Sequence, residues 1–261
     1  MSKKNYSYSE FSLKMVALVF MVLDHVHTYL GVGSEWISLL PRFVAPLFLY
    51  FLVEGFYHTS DWKKYFFRVF SFAMLMMLGN GIINYIFGSV DHISGKMTFY
   101  SLQQGNNIFL TLAVYLLILK MVEVAKLSKG VKKCSLIFGI MALSLFSLPF
   151  CEGSFYLLPL LFAFYFFRGN NKRIYISIAL WSMLLLAEAL ISHYSGAEVG
   201  SLYSTLCFSN EWAMIAVILP ISLYSGERGN NGKVAKWLFY LVYPLHLWIL
   251  LVARHLMNMG R

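Results

Sequence analysis

The sequence predicts an all-α, polytopic membrane protein, and three observations carry that expectation. Hydrophobic residues make up 59% of the 261-residue chain and charged residues 13%, about half the charged share of an ordinary soluble domain. Mean hydropathy is +0.66. Apolar stretches of a length that crosses a bilayer recur along the whole sequence, and the loops between them hold most of the Lys and Arg.

The first stretch, 12–30, has the basic flank Lys3 and Lys4 of a signal peptide. Asp24 and His25 interrupt its apolar region and no small-residue cleavage site follows, so it is expected to be retained as a span. Further spans are expected at 40–58, 64–87, 107–125, 134–150, 154–168, 173–192, 211–225 and 234–257, of which 154–168 and 211–225 are short for a crossing. No convincing internal repeat divides the chain, which reads as one integral-membrane domain over 1–261.

The net charge of +9 is large enough for nucleic-acid binding, but the placement of the cations excludes that class. Lys63, Lys64 and Arg68 follow the second span, Lys126, Lys129, Lys132 and Lys133 the fourth, Arg168, Lys172 and Arg173 the sixth, and Arg228, Lys233 and Lys236 the eighth. The alternate segments hold few cations, with Glu35, Glu152, Glu198 and Glu211 among them. By the positive-inside rule the amino terminus is cytoplasmic and the carboxyl terminus outside, which requires an odd number of spans, about nine. Such a rim faces the lipid bilayer. A nucleic-acid interface needs groove-reading or stacking elements on a soluble surface, so no nucleic-acid partner is expected. Cys151 and Cys207 both fall toward the outer face, which admits a disulfide, while separate thiols are the simpler reading of Cys134, Cys151 and Cys207. No Cys/His ligand pattern and no Gly-rich phosphate loop occurs, so no metal is expected.

Polar residues inside the spans make the candidate site. An ionisable group near the membrane centre costs on the order of 2.5–3.5 kcal/mol even on insertion scales, so Asp24-His25 within SLKMVALVFMVLDHVHTYL marks a functional position. Lys14 lies eleven residues before His25. At ~100° per residue that is about three turns, which returns both side chains to one helix face roughly 16 Å apart. The distance matches the reach of a pantetheine arm, with a cation for phosphate at the aqueous end and a base at the other.

Given this topology, the polar groups form two layers. The outer layer holds Asp24, His25, Arg42, Asn80, Asn84 and Asn107; the inner holds Lys14, Glu54, His58, Arg68 and the YSGERG loop at 224–229. Tyr243 and His246 of the last span lie at mid-depth. Arg42 offers Asp24 an ion-pair partner, the asparagines also read as interhelical hydrogen-bond glue, and Lys14 also fits a cation snorkelling to the surface. His92, His193 and His255 fall at span ends or in loops, where an exposed histidine needs no explanation.

Three segments carry a resemblance: LKMVALVFMVLDH at 13–25, RFVAPLFLYFLVEGFYHT at 42–59, and LYSGERG followed by WLFYLVYPLHLWIL between 223 and 250. Together they resemble the TraX family, membrane proteins linked to N-terminal acetylation of conjugative pilin. That family is similar in turn to the acyltransferase-3 class, whose basic residue, ten intervening residues and histidine correspond here to Lys14 and His25. PLFLYFLVEGF looks like that class's segment after its arginine, with Glu54 where a serine is usual.

The resemblance implies a bacterial cytoplasmic-membrane enzyme that uses acetyl-CoA, or another acyl-CoA, as donor. The acceptor is an extracytoplasmic peptide, pilin-like, or a glycan. It further implies that donor phosphates meet Lys14 and Arg68, that His25 is the general base, and that Asp24 orients the ring or pairs with Arg42. Arg42, Asn80 and Asn107 are candidates for stabilising the oxyanion, and Glu54, His58, Tyr243 and His246 for lining the substrate path. Direct transfer is the preferred route over an acetyl-histidine intermediate, because no second nucleophile is evident. Two competing classes are a proton or anion pathway through Asp24, His25 and Arg42, and a non-catalytic assembly factor.

Overall fold

Ser9 starts the first helix. Its hydroxyl accepts the Ser12 amide at 3.2 Å, and α1 (Glu10–Leu30) runs unbroken to Gly31. Gly31 closes the helix at φ 65°, a left-handed conformation open to glycine, with its N–H on the His27 carbonyl at 2.9 Å. The computed structural model describes residues 7–91, 95–103, 105–197, 200–230 and 232–259. Lys3, Lys4, His92, Glu198 and Arg261, and the side chains of Lys233 and Lys236, lie outside the described residues.

After α1 come a 3₁₀ segment (Glu35–Phe43), α2 (Val44–His58), α3 (Trp62–Ile86), the short α4 (Phe99–Leu102), α5 (Ile108–Leu127), α6 (Gly130–Phe150) and α7 (Ser154–Phe166). Then follow α8 (Asn171–Tyr194), α9 (Leu202–Phe208), a second 3₁₀ segment (Glu211–Val217), α10 (Ile218–Leu223) and α11 (Lys233–Met259). Side-chain caps set several starts: Asp61 accepts the Lys64 amide at 3.0 Å, Asn107 that of Leu110 at 3.3 Å and Asn170 that of Arg173 at 3.1 Å. No strand occurs among the described residues, and the protein is an all-α, polytopic integral membrane protein.

Among the described residues, seven helical stretches are long and apolar enough to cross a membrane, and each coincides with a predicted span. The two ranges that the sequence showed to be short are the irregular ones. Ser154–Phe166 has only 13 residues, and the predicted span 211–225 is the second half of a pair, Leu202–Phe208 with Glu211–Leu223, bent by 64°. The predicted span 40–58 begins earlier, at Glu35, as 3₁₀ backbone. Cys134, Cys151 and Cys207 are free thiols, Cys134 exposed and the other two buried.

The chain divides into two compact units, Met1–Phe51 with Pro159–Val242 and Leu52–Leu158 with Tyr243–Arg261. In the first, α1 packs on the first 3₁₀ segment, that segment on the second, and the second on α8. Leu13, Ala17, Leu18, Met21 and His25 are the buried residues of α1. Steps of four, one, three and four residues place them on a single stripe. Val16, Val19 and Leu23 on the opposite side are exposed, as a lipid-facing surface requires.

In the second unit, α5 packs between α3 and α6. Val69, Phe72, Ala73 and Met76 form the apolar part of the buried stripe of α3, and Asn80 and Asn84 continue it. A Cβ at Gly79 would overlap the indole of Trp248, so α11 approaches α3 this closely only because residue 79 has no side chain. Gly79→Val is therefore expected to displace Trp248 and destabilise the protein by about 1–3 kcal/mol, read as a lower unfolding midpoint in detergent.

Candidate functional site

The site in the first unit begins with a proline. Pro41 has no N–H to offer the Ser38 carbonyl three residues back in the 3₁₀ segment. Nε of Arg42 donates to that carbonyl instead, at 2.9 Å. The guanidinium is thereby aimed, and its Nη2 donates to Oδ2 of Asp24 at 2.8 Å. Oδ1 of Asp24 is buried and has no hydrogen-bond partner. Glu211, at the start of the second 3₁₀ segment, lies within electrostatic reach of Arg42. Ser38 ties the same region to α9 through a hydrogen bond to the Cys207 carbonyl at 3.1 Å.

His25 is 8% exposed and continues the buried stripe of α1 one turn beyond Met21. Its ring meets Tyr29 edge-on, with centroids 6.4 Å apart. Lys14 sits on the same unbroken helix, so the separation of roughly 16 Å expected from the helical rise applies. Nζ of Lys14 is 2.5 Å from Oε1 of Glu10 and lies over the rings of Phe51 at 5.3 Å and Phe239 at 5.9 Å. The YSGERG loop adjoins this end of α1. Tyr8 and residues 223–225 exchange two backbone hydrogen bonds, and the Glu227 and Arg228 carbonyls accept the Glu10 and Phe11 amides at 2.8 and 3.1 Å. Two donors that a helix start leaves unpaired are thereby satisfied.

In the second unit, Asn80, Asn107 and Tyr243 take part in polar contacts on and around α3, α5 and α11. Trp248 Nε1 donates to Oδ1 of Asn80 at 3.1 Å, and Asn80 Nδ2 donates to the Asn106 carbonyl at 3.4 Å. Asn84 donates to the Leu102 carbonyl at 3.0 Å. Asn107 caps α5 and donates to the Ala73 carbonyl at 3.0 Å, which ties α5 to α3. The Tyr243 hydroxyl donates to Oε2 of Glu152 at 3.2 Å and accepts the Ile108 amide at 3.2 Å. His246 meets the Tyr243 ring edge-on at 5.8 Å. Glu54 and His58 form their own pair at 3.6 Å on one face of α2, and Arg68 is exposed over the Tyr65 ring at 5.4 Å.

Glu152 is the residue that sequence reasoning misses. It reads as a loop charge, yet Oε1 accepts from Asn106 at 2.6 Å, Oε2 accepts from Tyr243, and its carbonyl accepts from Thr111 at 2.8 Å. The histidines at span ends also differ from expectation. His193 is half-buried and bonded to Thr205 at 3.1 Å, and His255 stacks on Phe87 at 4.5 Å with Nε2 buried.

Chemically, the first unit presents a buried imidazole, a fixed arginine–carboxylate pair whose carboxylate precedes that histidine in sequence, and an ammonium further along the same helix. A neutral imidazole can accept a proton from an attacking group. An arginine has five N–H donors; those of Arg42 beyond the bonds to Asp24 and Ser38 are of the kind that stabilises a developing oxyanion.

A family profile described as TraX protein matches residues 9–254. The chain is 32% identical over 263 residues to a protein of Dichelobacter nodosus named probable fimbrial assembly protein FimC, serogroup H1. That alignment covers 96% of this chain and 98% of the relative. No solved structure matches the chain.

Proposed function

Because this chain belongs to the TraX family, we propose that it is a membrane-embedded acyltransferase moving an acetyl group from cytoplasmic acetyl-CoA, or another acyl-CoA, to an acceptor outside the membrane. One observation supports this above the others: His25 lies on the buried face of α1, on the same helix as Lys14, and its neighbour in sequence, Asp24, pairs with Arg42. The positive-inside rule puts Lys14 on the cytoplasmic side and His25 in the outer half of the membrane. The family is linked to pilin acetylation, and the Dichelobacter relative carries a fimbrial assembly name. The proposed acceptor is accordingly a pilin-like or other envelope peptide, with a glycan as the hydroxyl-bearing alternative, at a bacterial cytoplasmic membrane.

In the proposed reaction, donor phosphates meet Lys14 and pantetheine follows α1 outward. His25 takes a proton from the acceptor amine or hydroxyl as its N or O attacks the thioester carbonyl carbon. The C–S bond breaks as the tetrahedral intermediate collapses, and the proton on His25 passes to the CoA sulfur. Arg42 stabilises the oxyanion, held by Asp24 and Ser38. Lys14→Ala is expected to weaken CoA binding with a milder effect on saturated turnover, a pattern that separates donor affinity from chemistry.

Purified protein tests the reading. Stabilisation by acetyl-CoA and CoA release in the presence of an envelope peptide fraction support it. Ion flux in proteoliposomes without CoA binding or release contradicts it and points to a conduction pathway through Asp24, His25 and Arg42. The relative's name favours one second reading, a pilus assembly factor without catalysis. Normal pilus assembly by a His25→Ala protein that transfers no acyl group would support that role.

A further inference from the structure

We propose that Glu10 is a built-in competitor of the donor, holding Lys14 in a closed ion pair that the phosphates of acyl-CoA must open. The inference rests on the reading above that Lys14 meets those phosphates. Lys14 is not an open anchor: its side chain is 22% exposed and that of Glu10 20%. Its ammonium is bracketed by Glu10 and by the rings of Phe51 and Phe239. Those rings are themselves packed, Phe239 against Phe11 at 5.9 Å and Phe51 against Tyr224 at 5.2 Å. The aromatic seat therefore holds the cation in place through its attraction to the ring faces.

The backbone beside it is fixed as well. The Glu10 and Phe11 amides are held by the Glu227 and Arg228 carbonyls, and Tyr8 is held by residues 223 and 225. What remains to move is the Glu10 side chain, by rotation about its own bonds. A multiply charged phosphate can displace a single carboxylate from Lys14, whereas the carboxylate left in place repels it. Glu10 thus sets a threshold that favours a highly charged donor over singly charged anions. In a purely structural role, as an i,i+4 helix pair, the carboxylate would leave donor affinity unchanged when removed, or weaken it by loosening α1.

The experiment is calorimetric titration of CoA and dephospho-CoA into the full-length protein in nanodiscs, comparing wild type with Glu10→Gln, Glu10→Ala, Lys14→Gln and the Glu10→Gln/Lys14→Gln double variant. Both Glu10 variants are expected to bind CoA about three- to tenfold more tightly at low salt. The gain should shrink as salt is raised, should be smaller for dephospho-CoA, and should vanish in the Lys14→Gln background. Wild-type binding of CoA with no gain, or a loss, in the Glu10 variants overturns the competitor role and leaves the acyl-CoA reading standing. Failure of both Glu10 variants to fold like wild type assigns the pair to structure and also overturns it. No CoA binding by wild type or by any variant overturns the acyl-CoA reading itself, and this inference with it.

Discussion

A His25→Ala protein is expected to lose acyl transfer by about 10²- to 10⁴-fold, the range that a positioned general base contributes. Donor affinity should change little, because the imidazole is assigned to the attacking group rather than to the phosphates. The fold should also hold. His25 is buried, but truncation to Ala on a helix removes one ring from a stripe otherwise built of Leu13, Ala17, Leu18 and Met21. Turnover at saturating donor and acceptor, measured beside CoA binding and the unfolding midpoint, checks all three statements. Retained turnover in a folded variant excludes His25 as the base. A collapse of donor affinity would move His25 to the wall of the binding path and shift attention to His246 or Asp24.

The second large effect belongs to Arg42. Removing one member of a shielded ion pair leaves the other charge uncompensated, at a typical cost of about 3–5 kcal/mol, whereas replacing both members by neutral groups is often far milder. Arg42→Met strips Asp24 of the partner on Oδ2 while Oδ1 already lacks one. It also frees the Ser38 carbonyl that Pro41 cannot satisfy. A marked fall in unfolding midpoint is expected. Arg42→Met/Asp24→Asn should recover much of it without restoring transfer, because the oxyanion donor is still missing. Equal stability of the single and double variants would show that the pair is not the cause.

How much of this is visible in the sequence depends on the length scale of each feature. Spans are legible because bilayer thickness fixes their length and lipid fixes their composition, which is why seven coincide with long apolar helices. The 3₁₀ backbone of Glu35–Phe43 and Glu211–Val217 is not legible. Segments of nine and seven residues offer only two or three turns from which to read a period, and the 64° bend after Phe208 has no proline or glycine at its break. The Asp24–Arg42 pair is legible because a charge in an apolar span needs an opposite charge, and Arg42 was the candidate at the same expected depth. Glu10–Lys14 carries the i,i+4 signal of a helix pair. Glu152 carries no local signal: its partners Asn106 and Tyr243 lie 46 and 91 residues away, and only the packed helices bring them to it.

The most direct measurement is mass spectrometry of envelope peptides and glycans from cells producing either the wild-type protein or the His25→Ala protein at equal membrane levels. Acyl-CoA-dependent transfer through His25 predicts an acylated peptide or glycan that is present with wild type and lost with His25→Ala. The same acylated species at the same abundance in both would contradict it.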